Sequence, residues 1–422
     1  MRTTPQRVMT EEDWQVLWGD VNEAFSPGAP VQERDLFAGR IEQLRALVDS
    51  VQQRGRHAIV FGERGVGKTS LANILGFAVT ATHKKVISVK VNADPQDTFT
   101  SMWMKVFKRL NYEVQADDGT VSKRKISEDY TNSITPDDVQ LELSTMPETI
   151  IPVIIIDEFD RVVNSRTTDL MADTIKGLSD YSSTATVVIV GVAEDVTALI
   201  GGHQSISRAL LQVKMPRMSQ EELAQIISSR YGKCGIKCDE EAMWKMTFLA
   251  RGLPFYAQLL GMHSARAAIE NRLRTVKPDH ADKALSAAVG ELDQTTRETY
   301  HAATRSQRGD TLYAPVLLAC ALAKADELGA FQQAAVTEPL NRIVPGKNYK
   351  PSTFALHMNG FCEAPRKHVL ERFGEPRNYR YRFTDPLMQP FIIMKGLAEG
   401  IIDDVTAEVY SNRRQLQLST SW

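Results

Sequence analysis

GERGVGKTS, residues 62–70, follows the apolar run HAIVF, residues 57–61, and precedes a segment of helical length. Its glycines allow the backbone to turn its N–H groups inward, and Lys68 and Thr69 follow at once. A loop of this pattern between a strand and a helix binds phosphate groups, because the helix N-terminus adds the positive end of its dipole. The alternative is a tight strand–helix turn that ends in a surface lysine.

A second motif, which is acidic, lies at the end of a later apolar run. PVIIIDE, residues 152–158, ends in Asp157 and Glu158. Ligands of open α/β sheets bind outside the carboxyl ends of the strands, where both motifs fall. We expect Thr69 and Asp157 to hold Mg²⁺, and Glu158 to polarise a water molecule for attack on a phosphate. The acids could instead cap the following helix, but the two motifs together predict a site for ATP and Mg²⁺.

The hydrophobic pattern divides the chain into regions. Between residues 30 and 217, β-branched runs alternate with segments of helical length, which predicts an α/β core with a parallel sheet. Residues 218–292 predict a small all-helical domain. Residues 293–403 predict three helices followed by a β-hairpin, the outline of a winged helix. Residues 1–29 are interpreted as an N-terminal extension and residues 404–422 as a polar tail.

Finer expectations concern two of these regions. In the third, helices are predicted over Leu312–Leu328 and Ala330–Ile343, and strands over His368–Phe373 and Tyr379–Phe383. The polar segment 117–138 of the core is interpreted as a surface excursion.

Composition limits the classes of function. At 422 residues the chain is too long for one ordinary core. A net charge of −2 means that any nucleic-acid surface has to be a local patch. The absence of a signal sequence and of an apolar stretch near the ~20 residues of a membrane span predicts a cytoplasmic protein without a membrane partner. Cys234 and Cys238 could share a helix face, but no second pair completes a zinc site, so we expect reduced thiols.

The acidic pair Asp157–Glu158, which is expected to follow the fourth strand, resembles that of AAA+ ATPases. The chain is similar to AAA+ P-loop ATPases of the origin-recognition/STAND-like group, which are bacterial or archaeal ATP-binding proteins with a C-terminal winged helix. The resemblance implies an AAA+ P-loop NTPase core with a parallel sheet, a helical lid and a C-terminal winged-helix domain. It also implies hydrolysis of ATP to ADP and phosphate.

The resemblance assigns roles to three further segments. Leu36–Arg40 resembles the segment that wraps the adenine, and Gly252–Pro254 resembles the lid motif of STAND ATPases. Gln204–Arg208 resembles the Ser-Arg motif that offers an arginine finger to a neighbouring subunit. Arg208 is therefore expected to act in trans within a homo-oligomer, the alternative being a surface arginine. The candidate nucleotide-binding residues are Gly39, Arg40, Gly62, Glu63, Arg64, Gly65, Val66, Gly67, Lys68, Thr69, Ser70 and Pro254.

Two departures from the family pattern concern the residues that sense the γ-phosphate. Initiator relatives carry an arginine near the lid motif, where this chain has Phe255, and Arg251 is the neighbouring candidate. Glu194 follows the strand after which those relatives place an asparagine as the first sensor. The departures predict slow hydrolysis, as a switch rather than a motor requires.

The C-terminal region is locally basic. Residues 341–395 contain ten Lys or Arg and four acidic residues. The candidate DNA contacts are Lys350, Arg377, Arg380 and Arg382. Tyr379, Tyr381 and Phe383 alternate with the arginines, either as the packed face of a strand or as stacking partners for bases. The chain is thus expected to bind duplex DNA, or to act as a nucleotide-controlled signalling switch that gates a protein effector, for example in bacterial antiphage defence.

Overall fold

The computed structural model describes residues 9–29, 39–79, 84–115, 121–193, 196, 199, 206, 208–291, 294–305, 312–375 and 378–410. The chain divides into two compact units. One is Pro30–Pro216, and the other combines Met1–Ala29 with Arg217–Trp422. Both sequence motifs of the phosphate site fall in the first unit.

A parallel sheet forms the centre of the first unit. The described strands of this unit are β1 (His57–Gly62), β2 (Lys85–Asn92), β3 (Asn111–Gln115), β4 (Val121–Lys125), β5 (Ile150–Asp157), β6 (Thr186–Val192) and β7 (Leu210–Met215). Five of them pair in the spatial order β2-β5-β6-β1-β7, and every pairing in this sheet is parallel. The central strands β1, β5 and β6 are buried along nearly their whole length because helices cover both faces, whereas the outer strands β2 and β7 also carry exposed polar residues. The predicted α/β class is therefore confirmed.

The helices lie on both faces of this sheet. The described helices of the first unit are, in chain order, α2 (Ile41–Val51), α3 (Lys68–Ala78), α4 (Phe99–Arg109), α5 (Pro136–Ser144) and α6 (Ser165–Asp180). Helix α1 (Glu11–Ala24) precedes them in the chain and belongs to the second unit. Helix α3 contacts four of the five strands, whereas α4 and α6 pack with Ile154 and Ile156 in the main hydrophobic core. Successive strand side chains point to opposite faces, so Ile155 and Asp157 lie on the face that α3 covers.

The polar segment 117–138 is more than a surface excursion. Strands β3 and β4 form an antiparallel hairpin, and a single 3₁₀ turn at Ile126–Glu128 follows it. Ile126 and Ile134 are buried in the same core as the sheet. The sequence pattern did not predict this packing, because the segment is mostly polar and only isolated residues such as Ile126 and Ile134 are buried.

The second unit begins with a group of helices. After α1 come α7 (Gln220–Cys234), α8 (Glu240–Leu249), α9 (Pro254–Glu270) and α10 (Pro278–Glu291), with the short parallel strands β8 (Lys237–Cys238) and β9 (Thr275–Val276). Helix α1 packs against α7 and α9. Its residues Trp14, Leu17 and Val21 recur at helical spacing and are buried.

The rest of the second unit combines helices with a small antiparallel sheet. Its elements are α11 (Gln294–Thr304), α12 (Tyr313–Leu322), β10 (Phe331–Gln332), α13 (Thr337–Ile343), α14 (Pro351–Phe361), β11 (Leu370–Phe373), β12 (Arg380–Phe383), α15 (Met388–Ala398) and α16 (Asp404–Val409). The sheet order is β10-β12-β11.

Three expectations for this region change. The helix predicted over Leu312–Leu328 ends at Leu322. The helix predicted over Ala330–Ile343 begins instead as strand β10, because Phe331 pairs with Tyr381 of β12. Asp404, which the sequence placed in a polar tail, begins α16, and its carboxylate lies 2.8 Å from Lys245 Nζ of α8. Among the described helices, none is long and apolar enough to cross a bilayer.

Candidate nucleotide-binding site

The glycine-rich loop joins the buried strand β1 to α3. Gly65 and Gly67 have φ values of 83° and 97°, in the left-handed region that glycine adopts without strain. A Cβ atom on Gly62 would lie 2.4 Å from the backbone oxygen of Met215 on β7. Lys68 is the first residue of α3, so the loop ends at a helix N-terminus. This is the geometry that presents backbone N–H groups to an anion.

Lys68 is held inside the loop. Its Nζ donates hydrogen bonds to the carbonyl oxygens of Gly62 at 3.0 Å and Glu63 at 2.8 Å. Burial lowers the pKa of Lys68 to about 8, and the nearby carboxylates of Asp160 and Asp157 oppose this effect. The ammonium therefore occupies a site of low polarity, where an additional anionic partner would stabilise its charge.

Asp157 ends β5 and is 3% exposed. Its Oδ1 accepts a hydrogen bond from the Glu158 N–H at 2.9 Å. Its Oδ2 is buried without a directed hydrogen bond, although Lys90 Nζ of β2 lies 2.9 Å away as an ion pair. Thr69, the second residue of α3, is half-buried. A carboxylate oxygen without a hydrogen bond and a hydroxyl are donors that fit Mg²⁺.

Glu158 adopts a left-handed backbone conformation, with φ of 57°, immediately after β5. Its side chain is about half exposed, and Oε2 accepts a hydrogen bond from Arg161 Nη1 at 2.8 Å. The carboxylate that the sequence assigns to water activation is thus engaged by a cation three residues further along the chain.

Asp160 and Arg161 belong to the site although the sequence analysis did not select them. Asp160 Oδ1 accepts a hydrogen bond from the Val192 N–H at 2.7 Å, which joins the acidic turn to the end of β6. Strand β6 lies between β1 and β5, so this bond crosses the edge where both motifs meet. The signal available in the sequence was the second acid and the arginine of DEFDR, residues 157–161.

Three further predicted site residues, Arg208, Arg40 and Gly39, belong to other segments of the first unit. Arg208 is exposed and precedes β7 by two residues, at the amino edge of the sheet rather than the carboxyl edge. Arg40 is buried with φ of 58° directly before α2, where its guanidinium donates to the Pro216 carbonyl. Gly39 beside it also has a positive φ, of 72°. The sensor candidate Glu194 lies outside the described residues.

The lid candidates belong to the second unit. Pro254 is the first residue of α9, as the Gly-x-Pro pattern predicts. Arg251 has φ of 48°, and its guanidinium lies 5.6 Å from the centre of the Phe248 ring. Burial, followed by the charge of Arg217, lowers the pKa of Arg251 to about 10.

Of the DNA-contact candidates, two are engaged by acids of their own unit. Arg380 Nη2 lies 2.5 Å from Asp326 Oδ2, and Arg382 forms an ion pair with Glu371. Lys350 is exposed directly before α14. Arg377 lies outside the described residues.

The aromatic residues around β12 were interpreted either as the packed face of a strand or as stacking partners for bases. Tyr381 and Phe383 are buried, and each ring lies near Phe331 of β10. For these two residues the packed face is the correct interpretation, whereas Tyr379 is half-buried beside Arg372.

The described residues contain no group of three or more His, Cys, Asp or Glu arranged to hold a metal ion by themselves. Any metal at the loop would thus be held with the help of other ligands, such as a hydroxyl and the phosphates of a nucleotide.

Comparison with known proteins places this geometry in a family. No curated protein matches the sequence. The chain is similar to the Aeropyrum pernix ORC2 protein solved as ADPNP-ADP complexes, with 14% identity, 92% of this chain and 98% of that chain covered, and a TM-score of 0.49. It is also similar to Drosophila ORC bound to DNA, with 12% identity, 93% of this chain and 95% of that chain covered, and a TM-score of 0.44. A third similar structure is the Thermotoga maritima RuvB Holliday junction branch migration motor, with 14% identity, 85% of this chain and 96% of that chain covered, and a TM-score of 0.42.

The sequence profile described as Novel STAND NTPase 1 matches residues 27–291, more than half of the chain. The match includes the glycine-rich loop, the acidic motif and the helices from α2 to α10. It confirms the predicted membership of the STAND-like group of P-loop NTPases. The chain thus belongs to the novel STAND NTPase 1 family of nucleotide-binding P-loop NTPases.

Proposed function

We propose that the protein is a slow Mg²⁺-dependent ATPase that works as a nucleotide-controlled switch. The observation that carries this proposal is the position of Lys68 and of Asp157–Glu158 at the same edge of one parallel sheet. Ligands of such sheets bind at that edge. Lys68 transfers its hydrogen bonds from the loop carbonyls to phosphate oxygens, as its place in the loop allows.

The metal site fits the same assignment. Thr69 and Asp157 would hold Mg²⁺, which when bound neutralises phosphate charge and orients the γ-phosphate. Glu158 orients and polarises the attacking water. In the structure its carboxylate is bonded to Arg161, so it has to turn away from this partner before it can act. That extra step is consistent with slow turnover.

Arg208 supports assembly of several copies. Strand β7 runs parallel to β1 over six residues, a length of about 20 Å, and Arg208 precedes its amino end. The P-loop follows the opposite end of β1, so Arg208 is too distant to reach the loop of its own chain. We propose that it reaches the site of a neighbouring copy and stabilises charge there.

The first candidate for the output of the switch is duplex DNA. We propose that α11–α15 and the sheet β10-β12-β11 form a winged helix, with α14 as the recognition helix and β11–β12 as the wing. Lys350 is exposed at the start of α14, where the helix dipole also attracts a phosphate. The surrounding region carries the local excess of positive charge.

A protein effector is the second candidate, and a different observation favours it. Helix α14 contains no Lys or Arg between Pro351 and Phe361, and Leu356 on it is 80% exposed. The ion pairs of Arg380 and Arg382 also neutralise two charges of the wing. An exposed apolar side chain on an uncharged helix is better suited to a protein surface than to a phosphate backbone.

Steady-state ATP hydrolysis across a salt series, with and without duplex DNA, tests the proposal. The Glu158→Gln variant serves as the blank, because it should keep nucleotide binding and lose turnover. Unchanged hydrolysis by this variant would remove Glu158 from its role. Stimulation of hydrolysis by DNA at low salt supports the DNA output. In that case Lys350→Glu should reduce the stimulated rate, whereas Leu356→Asp should not. Hydrolysis that is indifferent to DNA supports the protein effector.

A further inference from the structure

A lysine lies beside the acidic motif without a role in the family pattern. Lys90 of β2 is in register with Ile155 of β5, on the face of the sheet that α3 covers. Its Nζ lies 2.9 Å from Asp157 Oδ2 and donates a hydrogen bond to Asn73 Oδ1 of α3 at 2.7 Å. The Lys90 side chain is 25% exposed and that of Asp157 is 4% exposed.

The surroundings of Asp157 make this contact important. Its Oδ1 accepts a hydrogen bond from the Glu158 N–H, and its Oδ2 is buried without a directed hydrogen bond. A buried carboxylate is costly unless a cation or a metal balances its charge. Lys90 supplies such a cation, with its Nζ 2.9 Å from Oδ2.

The position of Asn73 connects Lys90 to the phosphate loop. Asn73 lies one helical turn after Thr69, so both side chains lie on the same face of α3. Lys90 therefore contacts Asp157 and, through Asn73, the face of α3 that also carries Thr69. Its hydrogen bond to Asn73 fixes the direction of the Lys90 side chain.

We propose that Lys90 is a built-in counter-cation of Asp157 that lets the site bind nucleotide without a divalent metal. The inference rests on the proposed function, because it concerns the same nucleotide site. Without Lys90, the buried negative charge of Asp157 would repel the phosphates of a metal-free nucleotide. With Lys90 in place, the local charge is balanced before a metal arrives. The nucleotide state of the switch then depends less on free Mg²⁺.

Nucleotide affinity measured with a fluorescent ATP analogue, in Mg²⁺ and in excess EDTA, tests this role. We expect Lys90→Met to weaken binding in EDTA by about tenfold or more, and in Mg²⁺ by less than about threefold. Lys90→Arg, which keeps the charge, should retain metal-free binding. An equal loss in both conditions would show a merely structural role, and no loss in EDTA would also overturn the inference.

A measurement without nucleotide separates this inference from the proposed function. Thermal unfolding of the metal-free protein should shift down by about 5 °C in Lys90→Met, because Asp157 loses its balancing charge. Asp157→Asn in the Lys90→Met background should restore most of the loss. An additive effect of the two substitutions would refute the charge balance. Failure of the wild type to bind ATP in either condition would instead refute the ATPase assignment and leave the unfolding result to decide the role of Lys90.

Discussion

Nucleotide binding should be linked to a proton above pH 8. Lys68 is 8% exposed, and burial lowers its pKa from 10.5 to about 8 in the free protein. This shift corresponds to about 3 kcal/mol of lost stabilisation of the charged form. Phosphate oxygens beside the ammonium favour that form, so the pKa of Lys68 should return to its ordinary range when nucleotide binds.

The size of the proton uptake follows from the difference between the pKa of Lys68 in the free protein and in the nucleotide-bound protein. With a pKa of about 8, about half of the free protein should carry a neutral Lys68 at pH 8, and about nine tenths at pH 9. Binding should therefore take up about 0.5 proton at pH 8 and about 0.9 proton at pH 9, and the affinity should fall towards about tenfold per pH unit above pH 8. At pH 7 the uptake should be about 0.1 proton.

Isothermal titration calorimetry with a non-hydrolysable ATP analogue, in two buffers of different ionisation enthalpy, measures the uptake. Lys68→Arg is the matched control, because its guanidinium stays charged throughout this range. The thiols of Cys238 and Cys362 should stay protonated at pH 9, since burial raises their pKa values to about 12 and about 11. An uptake below about 0.2 proton at pH 9, or the same pH dependence in Lys68→Arg, would refute the argument.

Three other predictions follow from the first unit. Arg208→Ala and Glu158→Gln should each lose hydrolysis, but a mixture should recover part of it through mixed interfaces; no recovery at any ratio would count against Arg208 acting in trans. His57 is buried, and burial lowers its pKa in the folded protein to about 4. As the pH falls below about 6.5, this histidine therefore binds a proton in the unfolded chain before it does so in the folded protein. The free energy of unfolding should drop by about 2.5 kcal/mol between pH 7 and pH 4.5 through this group, and urea titrations should show a smaller drop in His57→Asn. Gly62→Ala should lower the unfolding free energy by at least about 2 kcal/mol, because its Cβ would meet the Met215 oxygen, whereas Gly232→Ala, on an open helix face, should not lower it.

Continuous apolar patterns carried most of the sequence prediction. The strands β1, β2, β5 and β6 were predicted because uninterrupted β-branched runs are typical of buried parallel strands. The glycine-rich loop and the acidic pair were recognised because their spacing relates to phosphate and metal chemistry. These features are local in sequence, and their physical meaning does not depend on distant residues.

The features that were missed depend on distant contacts. The ion pair between Lys90 and Asp157 joins residues on two strands, and only the register of β2 against β5 brings them together. Strand β10 has two residues, too few to show a period, and it exists because Phe331 pairs with Tyr381. The ion pairs of Arg380 and Arg382 likewise depend on the fold of the second unit. A sequence pattern reports the charge of such residues but not the partner that neutralises it.

The hydrogen bond from the Val192 N–H to Asp160 joins the acidic turn after β5 to the carboxyl end of the neighbouring strand β6. Two segments that are distant in sequence therefore shift together, and any movement of the chain after β6 is transmitted to the turn that follows Glu158. The Val192 amide is consequently a natural reporter of this movement. Its rate of hydrogen–deuterium exchange should follow the nucleotide state of the protein, even though Val192 itself contributes no chemistry to the site.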